Sequence, residues 1–223
     1  MERKPPRRTR ERTLEVSLRL FNEFGEPNVN TTIIAEEMNI SPGNLYYHFK
    51  NKDDIVNNIY QQFEKEIDRL LAAPTATRTG EERLPNVEDA WLFLHLLFEL
   101  IWKYRFFYRD LANLLINNRT FELRFKSLLA QKVKTARWLA DGLARQGQLQ
   151  ATRAEIDSLA TNMVVLATYW LSYEYVLNPR RFSEPDFVSQ AVSRGCYQVM
   201  ALAAPYLIGD ARALFERLSE EYQ

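Results

Sequence analysis

Residues 30–54, NTTIIAEEMNISPGNLYYHFKNKDD, constrain the fold more than any other part of the sequence. The first half of this stretch spaces its apolar residues three and four apart, as on one face of a helix. Asn39 follows, and asparagine tolerates the left-handed backbone of a tight turn. Ser41 and Pro42 then have the residue types of an N-cap and of a first helical position. The pattern predicts two short helices joined by a sharp turn.

The second of these helices has the chemistry of a helix that reads DNA. Small or polar residues open it, and hydrogen-bonding aromatic side chains follow, which suits base edges and phosphates in a major groove. Asn44 is the best candidate for a direct hydrogen bond to a base. The predicted DNA-contacting residues are Thr31, Thr32, Pro42, Gly43, Asn44, Tyr46, Tyr47, His48 and Lys52. The alternative is a plain helical hairpin whose tyrosines cover a core, with both threonines serving only the helix cap.

The segment IAEEMNISPGNLYYHFKNKDDIV resembles the DNA-binding signature of the TetR/AcrR family of bacterial regulators. The similarity covers about residues 10–60 and includes the Leu-Tyr-aromatic-His-Phe run and the Lys-x-Lys-acidic sequence after it. The family's usual turn glycine is Asn39 here. The resemblance implies an all-α protein, with an N-terminal three-helix helix-turn-helix DNA-binding domain joined to a larger helical ligand-binding and dimerisation domain. We place these at residues 1–54 and 55–223.

Charge is balanced over the chain but concentrated at its start. Lysine plus arginine and aspartate plus glutamate number 29 each, so net charge indicates no polyanion partner. Residues 1–13 nevertheless carry six basic and two acidic side chains. Such an arm beside a helix-turn-helix has two interpretations, a contact to an adjacent groove or to phosphates, and a solubilising tail.

Composition excludes several classes of protein. A single cysteine rules out an internal disulfide framework, and with two histidines no metal cluster or cofactor site is visible. The N-terminus lacks a secretory h-region, and charged residues interrupt the longest apolar run, so we expect no membrane span and a cytoplasmic location.

Helix boundaries can be predicted outside the helix-turn-helix as well. Thr9 is expected to cap the first helix and Gly25 to end it. Residues 73–86, rich in Pro, Thr and Gly, are expected to form a loop. The last long helix is expected to run from Phe187 to Tyr206, with a further short helix after it.

The aromatic segment between Trp91 and Trp138 is a candidate effector pocket, because ligand sites are mainly apolar with a few directing polar groups. An apolar or amphipathic effector fits that description. The candidate effector-binding residues are Trp91, His95, Phe98, Glu99, Trp102, Tyr108, Asn113, Asn117, Trp138, Asn162 and Tyr169, with Arg109 as a further polar group.

The family resemblance implies a homodimer formed through the last two long helices, which would read a palindromic operator. It further implies repression that is relieved by the effector, although activation is an open alternative. Two other hypotheses are a helical protein-interaction module without DNA binding and an enzyme using His95 and Glu99 as an acid–base pair. No nucleophile motif, phosphate-binding glycine loop or metal set accompanies that pair.

Overall fold

The computed structural model describes residues 6–72, 84–182 and 184–220. Over these residues the protein is all-α, as predicted, with one isolated bridge between Leu149 and Leu207. Short 3-10 turns lie at Glu26–Asn28 and Ala204–Tyr206. The helices are α1 (Pro6–Phe24), α2 (Thr31–Glu37), α3 (Pro42–His48), α4 (Lys52–Ala72), α5 (Val87–Lys103), α6 (Phe106–Arg109), α7 (Leu111–Asn117), α8 (Arg119–Arg145), α9 (Arg153–Leu177), α10 (Pro185–Ala201) and α11 (Gly209–Glu220). No described helix has the length and apolar character needed to cross a membrane.

The chain packs as two compact units. The first comprises the described residues of Met1–Lys65 together with Tyr104–Arg124, and the second comprises those of Glu66–Lys103 and Phe125–Gln223. α4 and α8 are each continuous from one unit into the other. The predicted division into domains at residues 1–54 and 55–223 stays a prediction.

Local signals determine the helix ends in the first unit. The Asn30 side chain accepts from the amide of Ile33, and Ser41 Oγ accepts from the amide of Asn44 at 3.2 Å. Asn39 has a φ of 54°, the left-handed conformation that the turn requires. Asp54 donates its amide to Asn51 Oδ1 at 2.8 Å, which caps α4. The Ser41 cap and the Asn39 turn agree with the sequence prediction.

Three boundaries differ from the prediction or escape it. α1 begins at Pro6, so Thr9 lies inside the helix, because proline is well accommodated at a first helical position. α10 ends at Ala201 and a separate 3-10 turn precedes Leu207, so the predicted end at Tyr206 was wrong. Proline at position 205 has no amide hydrogen to continue the helix. The predicted loop at residues 73–86 lies outside the described residues except for its last three.

An aromatic cluster forms the core of the first unit between α4, α6 and α8. Tyr60 lies 5.0 Å from Phe121 and 5.2 Å from Phe107, in edge-to-face contacts between ring centroids. Phe63 packs against Tyr104 at 5.2 Å. All five rings are buried, and burying aromatic rings of this size contributes much of a small unit's stability.

α9 and α10 cross closely in the second unit. A Cβ atom on Gly195 would lie 2.7 Å from the Trp170 ring and 2.8 Å from the Phe98 ring, so only glycine fits there. The Trp170 indole donates to the carbonyl oxygen of Ala191 at 2.8 Å. Arg194 donates both bonds of a bidentate pair to Glu174, which is buried. These contacts fix the register of the two helices.

Candidate DNA-reading surface and effector cavity

α3 is a short, capped helix with one buried edge and one exposed face. Leu45 and the following Phe49 are fully buried and hold the helix on the unit. On the other side, Pro42, Gly43 and Asn44 are exposed at its N-terminal end. The sequence therefore folds this helix with its predicted base-reading end open to solvent.

The aromatic residues of α3 point outward rather than into a core. Tyr47 is 80% exposed and Tyr46 is 52% exposed. His48 is half-buried, with its ring edge-on to Tyr47 at 5.1 Å. This geometry is inconsistent with the hairpin alternative, in which the tyrosines would cover a core.

A hydroxyl pair connects α2 and α3 on the same exposed side. The Thr31 hydroxyl and the Tyr46 hydroxyl are 2.9 Å apart and share a hydrogen bond. Thr32 is also exposed, next to the Asn30 cap. The amides of a first helical turn favour an anion, so this corner has the donors for a phosphate oxygen. The predicted contacts of these residues to DNA stay predictions.

Lys52, which was predicted to contact a phosphate, is paired within the first unit. Its ammonium lies 2.7 Å from Glu26 Oε1 and donates to the Glu26 carbonyl oxygen at 3.0 Å. The Glu26 side chain is only 5% exposed. This pairing neutralises Lys52 within the unit, and its predicted contact to phosphate remains untested.

Glu26 is the centre of a polar network that the sequence did not predict. Its second carboxylate oxygen accepts from Asn113 Nδ2 at 3.0 Å, and its amide donates to Asp110 Oδ2 at 2.8 Å. Three parts of the first unit therefore meet at one residue: the connection before α2, the start of α4, and α7.

Arg109 extends this network to the end of α1. Its guanidinium donates to the carbonyl oxygens of Phe21 at 2.7 Å and Asn22 at 3.1 Å, and it also pairs with Asp110. The last carbonyls of a helix have no partner within the helix, and a cation there is favourable. In the structure the Arg109 side chain caps α1, and its consideration as an effector-binding group stays a prediction.

The predicted basic arm lies partly outside the described residues. Of its basic side chains, Arg10 donates to Asn58 Oδ1, and its guanidinium lies 5.2 Å from the centre of the Phe49 ring. Arg10 therefore packs on the unit, while Arg12 is exposed. Whether the arm contacts DNA stays open to experiment.

The predicted effector residues of α5 differ in burial and in their contacts. Trp91 is buried and stacks on His95, whose Nδ1 donates to the Trp91 carbonyl at 3.2 Å. Phe98 is buried, Glu99 is exposed, and Trp102 packs on Phe182. The hydrogen bond to Trp91 gives His95 a structural role within its helix.

The remaining predicted effector residues are scattered over both units. Tyr108 is buried in the first unit, and burial raises the pKa of its hydroxyl well above the usual value. Asn113 is bound to Glu26, and Asn117 donates to Asn113. In the second unit, Trp138 borders a depression of about 260 Å³, whereas Asn162 and Tyr169 are exposed on α9.

A separate, apolar cavity of about 50 Å³ lies inside the second unit. Residues of α4, α5, α8, α9 and α10 line it, and none of them belongs to the predicted effector set. Alanines contribute much of the wall, and small side chains at inward-facing positions leave space between helices. The alanines in this wall are Ala90, Ala136, Ala140, Ala167 and Ala203.

One wall residue of the cavity carries an ionisable group. Lys132 of α8 is 3% exposed, and its burial lowers the pKa of the ammonium group to about 7. Desolvation disfavours the charged form of a lysine, which accounts for the direction of this shift. Sequence reasoning missed Lys132 because α8 reads as amphipathic, and a lysine in such a pattern is normally assigned to the solvent side.

Two family models match consecutive parts of the sequence. A model described as bacterial regulatory proteins, tetR family, matches residues 14–59, which contain α2 and α3. A second, described as bacterial transcriptional repressor, matches residues 62–215 and so most of the chain. The first contains the signature found in the sequence.

The sequence and the fold are also similar to those of known transcriptional regulators. A TetR-family transcriptional regulator from Marinobacter aquaeolei VT8 is 33% identical, with a TM-score of 0.83, and the match covers 96% of this chain and 98% of that one. An HTH-type transcriptional regulator from Staphylococcus aureus (strain USA300) is 38% identical over 69 residues, so the matched part spans 31% of this chain and only 36% of that relative. A gamma-butyrolactone receptor (ArpA-like protein) shares the fold at 15% identity, with a TM-score of 0.64 and 97% coverage of each chain.

The exposed reading helix, the two matching models and the full-length similarity to a solved regulator agree with one another, and they describe a transcriptional regulator rather than an enzyme. The chain belongs to the TetR family of DNA-binding bacterial transcriptional regulators.

Proposed function

We propose that this protein is a ligand-responsive repressor that binds a palindromic operator as a homodimer and is released by a small apolar or amphipathic effector. The observation that carries this proposal is the exposed face of α3. Asn44 and Tyr47 stand in solvent on a helix held by Ser41 and by the buried Leu45. A rigid helix with open polar side chains is the element that enters a major groove.

Two copies are needed because one such helix covers too few base pairs to select a genomic site.

We propose that the exposed face of α9 packs against a second copy of this chain. Val165, Tyr169, Tyr173 and Val176 repeat at helical spacing along it, and each is more than half exposed. A contiguous apolar stripe of this kind marks an interaction surface, and a two-fold dimer buries the same stripe from both partners.

The proposed mechanism is a population shift. An effector that fits one arrangement of the second unit better than another favours that arrangement. Because α4 continues from the second unit into the first, its displacement changes the separation of the two reading helices in the dimer and hence their fit to the operator.

Fluorescence anisotropy with the DNA upstream of the protein's own coding region tests this function. Asn44→Ala is expected to relax base preference at one position by about 1–3 kcal/mol. Tyr47→Phe, which removes one hydroxyl, is expected to weaken binding to every sequence by about 1 kcal/mol. The matched control is Tyr175→Phe, which removes the hydroxyl of an exposed tyrosine on α9 and is expected to leave DNA affinity unchanged. Equal, sequence-independent losses for both α3 variants would contradict the proposed division of roles.

The oligomeric state is tested separately by sedimentation with Tyr169→Arg, which places a charge in the α9 stripe. A wild-type dimer that the variant converts to a monomer agrees with the proposal. A monomeric wild type that binds no fragment at any salt concentration would favour the protein-interaction alternative, since DNA binding is strongly salt-dependent.

A further inference from the structure

The start of α1 and the end of α3 meet at Arg10. Its guanidinium lies 5.2 Å from the centre of the Phe49 ring, and Phe49 is the buried residue that immediately follows α3. Arg10 itself is exposed. A basic side chain of the N-terminal arm is therefore held beside the C-terminal end of the reading helix.

The charge of Arg10 has a neutral partner. Its Nη2 donates to Asn58 Oδ1 at 2.5 Å, and within the described residues no carboxylate forms an ion pair with it. Arg19, on the same helix, differs because it is paired with Glu23 and Glu37. A guanidinium has five N–H donors, so Arg10 keeps its positive charge and most of its donors for an acidic ligand.

The orientation of the Asn58 amide is fixed by α4. Its nitrogen donates to the Asp54 carbonyl oxygen at 2.7 Å and to Asp54 Oδ1 at 3.0 Å, which directs the amide oxygen toward Arg10. Asp54 Oδ2 accepts from the amide of Lys50 at 3.1 Å, in the turn after α3. These hydrogen bonds connect the start of α1 to the turn that ends the reading helix.

The dimensions of duplex DNA place a phosphate near this point. α3 has seven residues and is about 10 Å long, whereas the major groove is about 12 Å wide. When the N-terminal residues of such a helix contact base edges, its C-terminal end lies at the sugar–phosphate wall of the groove. A guanidinium matches a phosphate there with two parallel hydrogen bonds.

We propose that Arg10 binds a phosphate of the DNA backbone and that Asn58 is the positioning residue that holds its guanidinium in place in the free protein. An amide suits this role because, unlike a carboxylate, it orients a guanidinium without neutralising it. The inference rests on DNA binding through α3, which is part of the proposed function, and it is independent of the effector.

The salt dependence of binding to the DNA upstream of the protein's own coding region tests the phosphate contact. Each such contact releases counterions, so Arg10→Gln is expected to reduce the slope of log affinity against log salt concentration by about one per chain. It is also expected to weaken binding about tenfold, since a charged hydrogen bond is lost. The matched control is Arg19→Gln, which removes the same charge from the same helix at a residue that carboxylates already compensate, and it is expected to keep the wild-type slope.

Asn58→Leu tests the positioning role, because it removes the acceptor without changing any charge. Losing the pre-ordering of one long side chain is expected to weaken binding about fivefold in the wild-type background and to have no effect in Arg10→Gln. A purely structural role of Asn58 would instead weaken binding equally in both backgrounds. Thermal unfolding verifies that each variant is folded.

A wild-type slope in Arg10→Gln, equal slope changes in Arg10→Gln and Arg19→Gln, or additive losses for Arg10→Gln and Asn58→Leu would each overturn the proposal. Each of these results leaves the proposed function intact, because the wild type still binds the fragment. A wild type that binds no DNA overturns the proposed function and this inference together.

Discussion

Each unit contains a lysine that is withdrawn from solvent, half-buried in the first unit and fully buried in the second, and the surroundings of the two differ. In the first unit, Lys52 is paired with the carboxylate of Glu26. That carboxylate also accepts a hydrogen bond from Asn113, and the Glu26 amide donates one to Asp110. In the second unit, Lys132 stands in a wall of apolar side chains, and burial lowers its pKa. The first arrangement compensates the charge, whereas the second disfavours it.

This difference indicates that the first unit is rigid around α3 and that the second unit can re-pack around its cavity. A hydrogen-bonded network has one geometry in which all its members are satisfied, so it holds the reading helix and its neighbours in fixed positions. An apolar wall of alanines and methionines specifies position weakly and re-packs easily. Removing charge should therefore harm the first unit and benefit the second.

The largest expected effect is the loss of Glu26. Glu26→Ala removes the carboxylate that pairs with Lys52 and accepts from Asn113, and we expect the free energy of unfolding to fall by about 4 kcal/mol. Urea denaturation measures this loss. Glu37→Ala, which breaks an exposed pair with Arg19, is the control and should change stability by less than about 1 kcal/mol. Similar losses for the two variants would show that the network is no more than a surface pairing.

The opposite sign is expected for Lys132→Met, a gain in stability at neutral pH, since the variant removes a charge that burial disfavours. The folded-state pKa is lowered to about 7 from 10.5, so between these values the unfolded state binds more protons than the folded state. Wild-type stability should therefore rise with pH over that window. The advantage of the variant should be full below pH 7 and vanish above pH 10.5.

Unfolding midpoints of the wild type and Lys132→Met, measured at several pH values, check this sign. Lys134→Met serves as the control for removing a lysine from the same helix. A difference between wild type and variant that does not change between about pH 7 and pH 10 would contradict the assigned cause of the shift.

A smaller loss is expected where α10 crosses α9. Gly195→Ala places a methyl group 2.7 Å from the Trp170 ring, and we expect overpacking to cost about 2 kcal/mol. Ser189→Ala, an exposed position on α10, is the matched control and should be nearly neutral. Equal free energies of unfolding for the two variants would show that the second unit re-packs even where α9 and α10 cross closely.

The smallest effect concerns the turn between α2 and α3. Asn39→Ala forces alanine into a φ of 54° and should cost about 1 kcal/mol, whereas Asn39→Gly should change stability by less than about 0.5 kcal/mol. Thermal unfolding distinguishes them. Equal losses of stability in the two variants would mean that contacts of the Asn39 side chain, rather than backbone strain, account for the preference for asparagine.

The parts of the structure that were predictable depend on neighbours in sequence. The cap at Ser41 and the turn at Asn39 each follow from residues within four positions of one another. Exposure of Tyr47 follows as well, because the opposite face is apolar. Local chemistry therefore predicted the helix α3, and the structure decided between the two interpretations of its tyrosines.

The parts that were missed depend on distant contacts. Glu26 and Asp110 are separated by 84 residues, and nothing near either one indicates the other. The cavity was missed for a different reason. Effector residues were sought among aromatic and polar side chains, whereas the wall is built from alanine, leucine and methionine, which carry no chemical signal of a site. Space between helices is a property of packing, and composition does not reveal it.

The brevity of α3 has a consequence for how this protein can be used. A helix of seven residues is too short to persist in water, where isolated helices need about 12–15 residues even to be marginal. A synthetic peptide copying Pro42–His48 would be a random coil with no affinity for a chosen site. Transplanting the recognition residues to a new target would therefore require carrying the surrounding scaffold along with them.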